Sequence, residues 1–359
     1  MSINLEFLNW PAYDFRKKVK EKYLYEKLKE LTIYHQKNCW EYKSILKNRD
    51  FDFDCKNSLS SLPWIPVRLF KHYDFTSINK DNIYKILFSS GTTGNSPSKI
   101  ILDKNTSQVQ SKVLVKILQN FIGKKRLPML IVDCANIIKN KTSFSARGAG
   151  ILGLSNFGHS HTFALKDDMT LDINKIKEFS EKYINQPKLI FGFTFMLWKY
   201  FIKQIERSGE TLNLSKSILF HSGGWKKMQS EAVDNKLFKE KIKELTSIQR
   251  IHNFYGMVEQ VGSIFVECEK GHLHASSYSD VIIRDPINFN SLPKREKGLV
   301  QVLSSLPHSY PGHSLLTEDI GEILGEDDCE CGRNGKYFKI YGRILNSENR
   351  GCSDTFYNV

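Results

Sequence analysis

One short loop carries the clearest chemical signal in the chain. The apolar run Ile83–Phe88 leads directly into a segment of hydroxyls and glycines that a lysine follows: Ser89, Ser90, Gly91, Thr92, Thr93, Gly94 and Lys99. Glycines allow a tight turn that brings backbone N–H groups close to anionic oxygens, while hydroxyls donate hydrogen bonds and the lysine adds a point charge. The composition favours a loop that wraps a polyphosphate, and the competing interpretation is an ordinary surface turn.

The spacing within this loop excludes the phosphate loop of the P-loop nucleotide triphosphatases. That loop requires the pattern G-x-x-x-x-G-K-[ST]. Here no Gly-Lys pair occurs, and Pro97 interrupts the run that would have to enter a helix.

A second segment offers groups for a purine and a cation. Tyr255, Gly256 and Glu259 stand in the order Tyr-Gly-x-x-Glu at the end of the apolar run Ile251–Tyr255. The tyrosine presents an aromatic face for a base. The carboxylate suits Mg²⁺, which is usually held by one or two carboxylates and the phosphates of a substrate. Taken individually, Tyr255 is equally well explained as a core residue and Glu259 as a solvated helix start.

Composition restricts the class of protein that positions these residues. The chain has 359 residues, of which 40% are hydrophobic and 25% are charged, and its net charge is +13. This length supports a large core and up to two domains. The basic residues are interleaved with acidic ones, and neither an arginine-rich tract nor a zinc-finger or RNP spacing occurs, so we expect no nucleic-acid partner. A nucleotide triphosphate would use the positive charge equally well.

We expect neither a secretory leader nor a membrane span. The amino terminus lacks a charged start followed by an apolar run, and the strongest apolar stretch, Leu189–Leu197, is too short to cross a bilayer. The sequence therefore predicts a cytoplasmic protein whose seven cysteines are reduced rather than paired.

Strand-like and helical runs alternate along most of the chain, which indicates an α/β fold with mainly parallel sheets. Residues 12–48 are predicted to be helical, because Phe15, Val19, Tyr23, Leu28 and Leu31 recur at near-helical spacing. The predicted order then continues with strand 83–88, helix 106–121, strands 129–132 and 189–191, helix 194–206, strand 218–221, helix 229–245 and strand 251–255. Short strands at 265–266, 281–283, 299–303, 320–324 and 337–341 predict a β-rich carboxy-terminal section.

Further motifs complete a pattern that resembles the LuxE-like acyl-protein synthetase family. This family is a compact branch of the adenylate-forming superfamily, which includes acyl-CoA synthetases and luciferases. The motifs are the Pro-rich Leu62–Lys71, Ser145–Gly150 with Ser-Ala-Arg-Gly, His221–Lys227 with Gly-Gly-Trp-Lys-Lys, Asn253–Glu259, Thr317–Glu322 and Ile340–Arg343. They occur in the family's order from about Pro63 to the carboxy terminus. The amino-terminal sixty residues carry no usable motif.

The resemblance implies ATP and Mg²⁺ as cofactors and gives each motif a role. Glu259 is expected to hold Mg²⁺, and Lys99 with the loop Ser89–Gly94 to stabilise the transferring phosphate. The remaining cofactor-binding residues are Tyr255 on adenine, Asp319 on the ribose hydroxyls, Arg343 on ribose or phosphate, and Gly223, Gly224 and Gly256 beside the base.

Two positions depart from the superfamily pattern, and two arginines stay outside the catalytic set. Val258 stands where a threonine usually precedes the glutamate, and Glu318 replaces the glycine of Thr-Gly-Asp. Arg147 suits either a clamp on a phosphate or carboxylate or a structural salt bridge, and Arg68 is equally open.

One group of cysteines and histidines resembles a structural zinc site. Cys268, His274, Cys329 and Cys331 correspond to a set found in phenylacetate-CoA-ligase-like relatives, where it can hold zinc. Three thiolates and one imidazole suit a closed tetrahedral site. His272 competes as the histidine ligand, and the alternative is a set of free thiols.

Another cysteine is the expected acyl acceptor. Cys352 lies near the end of the chain in Arg350–Asp354, and acyl-protein synthetases carry the acyl group on a cysteine near the carboxy terminus. Arg350 would favour its thiolate modestly. The alternative is a terminal cysteine without a role.

These observations predict a helical lead-in over residues 1–60, an adenylate-forming domain over 61–345 and a mobile tail over 346–359. No counterpart of the separate carboxy-terminal lid of larger relatives, or of its catalytic lysine, is expected after Arg343. The predicted reaction activates a carboxylic acid as an acyl-adenylate and passes the acyl group to Cys352, from which an acyl-CoA-reductase-like partner takes it. The alternatives are transfer to coenzyme A, a carrier protein or an amine, and a non-catalytic nucleotide-binding protein.

Overall fold

The structure is a computed structural model that describes residues 6–48, 58–89, 97–138, 146–225 and 232–344. The chain divides into two compact units. The first contains the described residues of Met1–Asn120 and Gly256–Glu348, and the second contains those of Phe121–Tyr255. Among the described residues, no helix is both long enough and apolar enough to cross a membrane.

The helices are α1 (Lys17–Asn38), α2 (Trp40–Lys47), α3 (Lys104–Ile122), α4 (Ala146–Ser155), α5 (Ile173–Lys182), α6 (Thr194–Met196), α7 (Lys203–Ser208) and α8 (Asn235–Thr246). A π-helical turn, Leu197–Ile202, joins α6 to α7. Short 3₁₀ turns lie at Glu6–Asn9, Leu59–Ser61, Val67–Lys71, Lys80–Asn82, Ala135–Ile138 and Val258–Gln260.

The strands are β1 (Ile65–Pro66), β2 (Lys85–Phe88), β3 (Lys99–Leu102), β4 (Leu127–Cys134), β5 (Gly158–Leu165), β6 (Lys188–Phe193), β7 (Ser217–Ser222), β8 (Arg250–Tyr255), β9 (Phe265–Glu267), β10 (Leu273–His274), β11 (Ser279–Arg284), β12 (Lys297–Ser304), β13 (Ser314–Glu326) and β14 (Lys336–Arg343).

The second unit is built on a parallel sheet with the strand order β5-β4-β6-β7-β8. Every residue of β4, β6 and β7 is buried, as expected for strands that helices cover on both faces. The chain moves outward from β4 to β5 in one direction and from β6 to β7 in the other. The strand order therefore reverses between β4 and β6, and crevices that bind ligands form at the carboxyl ends of strands at such a switch point.

The first unit contains an antiparallel sheet with the strand order β11-β12-β13-β14-β10-β9, to which β1 adds in parallel beside β13. The strands β2 and β3 form a separate antiparallel pair. The α/β class with mainly parallel strands and a β-rich carboxy-terminal section is thus confirmed.

Helix α1 packs one face against the antiparallel sheet. Leu24, Leu28 and Leu31 form a buried cluster with residues that include Ile282 and Leu303. The predicted helix over 12–48 differs in detail, because Cys39 adopts an extended backbone and separates α1 from α2. Val19 is 55% exposed rather than on the buried face.

A lysine lies on the buried side of α1 and is compensated by charge. Lys20 is 2% exposed, and its Nζ lies 3.7 Å from Oδ1 of Asp280, which is 1% exposed. Lys336 Nζ lies 3.2 Å from the other carboxylate oxygen. The paired lysines lower the pKa of Asp280 against the opposing effect of its burial, so the carboxylate stays ionised inside the protein.

Aspartates fix where three helices begin. The Asp103 carboxylate accepts a hydrogen bond from the Thr106 N–H at 2.7 Å, ahead of α3. Asp172 caps α5, and Asp234 caps α8 through the Leu237 N–H at 2.7 Å. Each satisfies an N–H group that has no partner within its own helix.

Candidate functional site

The polyphosphate-loop candidate connects the two strands of a hairpin. In the pair of β2 and β3, Phe88 lies opposite Lys99. Ser89 continues the pairing, since its N–H donates to the Ser98 carbonyl at 3.0 Å and its Oγ accepts from the Ser98 N–H at 2.8 Å. Residues 90–96, which include Ser90, Gly91, Thr92, Thr93 and Gly94, lie outside the described residues.

The lysine that closes this loop is paired with an aspartate. Lys99 Nζ lies 2.6 Å from Asp74 Oδ2, and both side chains are partly exposed. Exposed ion pairs contribute at most about 1 kcal/mol to stability. An incoming phosphate can therefore compete with Asp74 for this lysine at small energetic cost.

Glu259 lies in a buried turn that is fixed from two sides. It is 5% exposed and occupies the 3₁₀ turn Val258–Gln260. The side-chain amide of Gln260 donates to the carbonyls of Val302 at 3.0 Å and Gly312 at 2.8 Å. Gly262, two residues after this turn, has a φ of +86°. A carboxylate held on such a turn is suited to a cation, because its position is set by the backbone.

Asp319 and Arg343 are brought together by the register of β13 and β14. The two residues are directly opposite each other in the strand pair. Arg343 Nε lies 3.4 Å from Asp319 Oδ1, and both side chains are 6% exposed. The Asp319 N–H donates to Thr317 Oγ1 at 3.1 Å. The predicted ribose ligand and the predicted ribose or phosphate ligand therefore form one ion pair.

The remaining candidates for the base lie on the parallel sheet. Gly223 follows β7 with a φ of +84°, a left-handed conformation that favours glycine, and Gly224 next to it is buried. Trp225 packs edge-on against Trp198 with ring centroids 5.7 Å apart. Tyr255 is only 4% exposed, so its ring is covered in this conformation and must be uncovered before it can stack on a purine.

The cysteine and histidine candidates converge on one point in the first unit. Cys268 and His274 come from the β9–β10 hairpin, and Cys329 and Cys331 from the turn between β13 and β14. Their four ligand atoms all lie within 4.8 Å of one another. Cys268 Sγ lies 4.0 Å from Cys329 Sγ, and Cys331 Sγ lies 3.4 Å from His274 Nε2. Zinc–ligand distances of about 2.1–2.3 Å give a tetrahedron with edges of about 3.6–3.8 Å, so the donor set fits a zinc ion.

Protonation in this cluster depends on burial. Burial raises the pKa of the Cys329 thiol to about 12. Burial also lowers the pKa of His274 to about 3, so the imidazole is neutral and able to ligate a metal. His272 lies beside the cluster, with Nδ1 3.4 Å from Cys329 Sγ, but the converging set contains His274. The described cysteines are all free thiols, and Cys352 lies outside the described residues.

Both arginines left outside the catalytic set form ion pairs. Arg68 Nε lies 3.3 Å from Glu318 Oε1. Arg147 Nε lies 2.9 Å from Asp133 Oδ2. Arg147 lies in the first turn of α4.

Two polar residues at the carboxyl edge of the parallel sheet were not predicted as site residues. Thr194 Oγ1 lies 3.0 Å from His221 Nδ1 and 3.3 Å from the Ser222 carbonyl. Burial lowers the pKa of His221 to about 3, so this contact is made by a neutral imidazole. Thr194 directly follows a buried strand, and parallel sheets bind ligands at the carboxyl ends of their strands. This position in the sequence could have identified it as a candidate.

Comparison with known proteins identifies the family of this chain. The family model for "Acyl-protein synthetase, LuxE" matches residues 4–358. A long-chain-fatty-acid–luciferin-component ligase of Vibrio harveyi is 22% identical over 336 residues, which are 89% of this chain and 83% of that protein. The ligase of the same name from Aliivibrio fischeri is 21% identical over 369 residues, covering 97% of this chain and 90% of its own.

A solved structure shares the fold. The 2-hydroxyisobutyryl-CoA ligase, in the postadenylation state in complex with 2-HIB-AMP, superposes with a TM-score of 0.69 at 14% identity. The alignment covers 92% of this chain and 69% of the other. The fold is therefore that of an adenylate-forming ligase, and the family match over nearly the whole chain gives the conclusion: this protein belongs to the LuxE acyl-protein synthetase family of ligases.

Proposed function

We propose that this protein uses ATP to activate a long-chain fatty acid as an acyl-adenylate and then transfers the acyl group to a cysteine of its own chain. The observation that carries the proposal is the family match over residues 4–358. The names of the two curated relatives support the substrate class. The acyl-adenylate in the superposed ligase, a protein of the same fold, agrees with the reaction type.

In the first step the fatty-acid carboxylate attacks the α-phosphorus of ATP. A new oxygen–phosphorus bond forms, the bond to the bridging oxygen breaks, and pyrophosphate leaves with its electron pair. Lys99 and the Ser89–Gly94 loop stabilise the negative charge of the transferring phosphate. Glu259 holds Mg²⁺, which supplies Lewis-acid stabilisation of the phosphate oxygens. The paired Asp319 and Arg343 bind the ribose.

In the second step a cysteine thiolate attacks the carbonyl carbon of the acyl-adenylate. The carbon–sulfur bond forms, the carbon–oxygen bond to the phosphate breaks, and AMP leaves. Cys352, within residues 346–359, is the proposed nucleophile. A reductase-like protein partner would then take the acyl group from the thioester. The proposed compartment is the cytoplasm, where thiols stay reduced.

The Cys/His cluster has a separate, structural role in this proposal. Cys268, His274, Cys329 and Cys331 hold a zinc ion that links the β9–β10 hairpin to the turn after β13. The observation in favour is the convergence of four ligand atoms within 4.8 Å. A closed set of four protein ligands leaves no position for a substrate, which is typical of structural zinc.

The complete reaction is tested by acyl labelling of the protein. The protein is incubated with ATP, Mg²⁺ and a radiolabelled long-chain fatty acid, and label is measured on the denatured chain with and without hydroxylamine. We expect hydroxylamine-sensitive label in the wild type and in the matched control Cys39→Ser, and none in Cys352→Ser. Full label in Cys352→Ser would exclude this acceptor. ATP turnover without protein label, but with acyl transfer to added coenzyme A, would select the coenzyme A alternative.

A further inference from the structure

An arginine at the switch point of the parallel sheet is the most informative group that the proposed function leaves without a role. Arg147 projects from the first turn of α4, which begins after the carboxyl end of β4. Its Nη1 lies 3.6 Å from the sulfur of Met196, on α6 directly after β6. The side chain therefore lies between the carboxyl ends of β4 and β6, where the strand order reverses and where open α/β sheets bind ligands.

Among the described residues, the guanidinium has one charged neighbour, and the contact is an ion pair without hydrogen-bond geometry. Arg147 Nε lies 2.9 Å from Oδ2 of Asp133, which is 1% exposed. The other carboxylate oxygen of Asp133 accepts a hydrogen bond from the Cys134 N–H at 2.8 Å. The Arg147 side chain keeps 26% of its surface exposed. An arginine paired with a carboxylate on its Nε side still has N–H groups on its two terminal nitrogens, which suit a planar, singly charged oxyanion.

Charge and surroundings favour a carboxylate over a polyphosphate. Asp133 neutralises the formal charge of the arginine, so the pair lacks the surplus positive charge that several phosphates require. The neighbours are apolar: Met196 contacts the guanidinium, and Phe193 is 9% exposed. A side chain at Gly150 would place its Cβ 2.8 Å from the Phe193 ring. The glycine thus lets α4 lie against that ring, and the polar side chain between Phe193 and Met196, Thr194, is engaged by His221 and the Ser222 carbonyl.

We propose that Arg147 is the binding residue for the carboxylate of the acyl substrate, and that Asp133 is the positioning residue that orients it. The inference rests on the proposed function, which supplies the fatty acid as the substrate. It adds the residue that distinguishes an acid from a neutral lipid of the same length. Met196 is fully buried and Phe193 is 9% exposed, so both must be uncovered before they can contact the first carbons of the chain.

The test is direct binding, without ATP, of dodecanoate and of dodecanol to wild type, Arg147→Gln and Arg147→Lys, measured by calorimetry near neutral pH. Wild type is expected to prefer the acid. In Arg147→Gln the affinity for the acid falls by about 10- to 100-fold, the range for one charge-assisted interaction, while the affinity for the alcohol is unchanged. Arg147→Lys restores part of the preference, since it keeps the charge but lacks the planar fork.

The matched control is Arg126→Gln. Arg126 belongs to the same unit, immediately before β4 at the opposite edge of the sheet, and donates to the Gly158 carbonyl. The Arg126→Gln variant is expected to bind both ligands as the wild type does. Equal losses for acid and alcohol in Arg147→Gln would identify a purely structural arginine and overturn the proposal. So would a wild type without preference for the acid.

This outcome is separable from that of the proposed function. Binding of the acid through Arg147 in a protein that never exchanges pyrophosphate would support the subsite and refute the activation. If the wild type shows acid-dependent exchange and the Arg147→Gln variant keeps its preference for the acid, the activation is supported and the subsite is refuted.

Discussion

A buried histidine pair gives the stability of this protein a defined dependence on pH. His313, just before β13, stacks on His35 of α1 with ring centroids 5.1 Å apart and an interplanar angle of 22°. Its Nε2 lies 2.9 Å from Thr32 Oγ1, which itself donates to the Leu28 carbonyl at 2.7 Å. Because that hydroxyl proton is used, Nε2 of His313 is the donor and Nδ1 is unprotonated. Among the described residues, Nδ1 has no hydrogen-bond partner.

Protonation of His313 would place a charge on this buried Nδ1. Burial lowers the pKa of His313 from 6.5 to about 3, and the titratable groups around it are His35 and Tyr42. The folded state therefore binds fewer protons than the unfolded state between these two pH values. Its stability is fully present above about pH 6.5 and is lost as the pH falls toward about 3. Linkage gives a loss of about 2 kcal/mol for this histidine between about pH 7 and about pH 5.

The perturbation is His313→Gln, which keeps an N–H donor for Thr32 and removes the titrating group. Urea unfolding at both pH values, followed by tryptophan fluorescence, measures the change in unfolding free energy. Wild type should lose about 2 kcal/mol more than the variant on acidification. The exposed His72 provides the control, since His72→Gln should follow the wild type. Equal acid sensitivity of wild type and His313→Gln would refute this reasoning.

Three further predictions concern the Glu259 turn, the metal cluster and the buried ion pair. Gly262→Ala should destabilise the protein more than Gly123→Ala in urea unfolding. Both glycines have a positive φ, which costs an alanine about 1–2 kcal/mol. At Gly262 the new Cβ would also lie 2.7 Å from a backbone oxygen, whereas at Gly123 it would meet no atom within 4 Å. Equal losses would contradict the structure of this turn. Cys331→Ser should lower bound zinc, measured by elemental analysis, from one equivalent to near zero, whereas Cys39→Ser keeps it; stoichiometric zinc in Cys331→Ser would argue against the cluster. Asp280→Asn should cost about 3–5 kcal/mol of unfolding free energy because it leaves the buried Lys20 and the partly buried Lys336 without their carboxylate. A loss below about 1 kcal/mol would show that the lysines reach water.

The sequence predicted elements whose pattern and boundaries are both local. Helix α3 was predicted over 106–121 and spans Lys104–Ile122, where Asp103 caps its start. The cores of β4, β6, β7 and β8 were predicted because buried parallel strands appear as continuous apolar runs.

The elements that the sequence did not predict depend on position within the sheet. Strand β5 was missed, because it pairs only with β4 at the edge of the sheet and carries polar residues such as His159 and His161. Only residues 320–324 of β13 were predicted, although the strand spans Ser314–Glu326. The missed start of the strand contains the polar run Thr317-Glu318-Asp319, which interrupts the apolar pattern. Gly321, inside the predicted part, is required there, because a Cβ would lie 2.9 Å from the Lys339 carbonyl oxygen.

The candidate site was predictable as a set of residues but not as a set of contacts. Motif order identified Asp319 and Arg343, whereas their ion pair follows from the register of β13 and β14. Arg147 was noted, but its partner Asp133 was not, because the pair forms only when α4 folds back from the end of β4. Contacts of this kind depend on the tertiary fold and leave no periodic trace in the sequence.

The central claim is that this protein activates a carboxylic acid with ATP. Pyrophosphate exchange into ATP measures that step alone, across short-chain, long-chain and aromatic acids. We predict exchange that requires a long-chain fatty acid and Mg²⁺, and that falls by about 10²-fold or more in Glu259→Gln, as expected when a group that stabilises the transferring phosphate is removed. Absence of exchange with every acid, in folded protein that shows no thermal shift with ATP and Mg²⁺, would contradict the account and leave a protein that keeps the fold without the reaction.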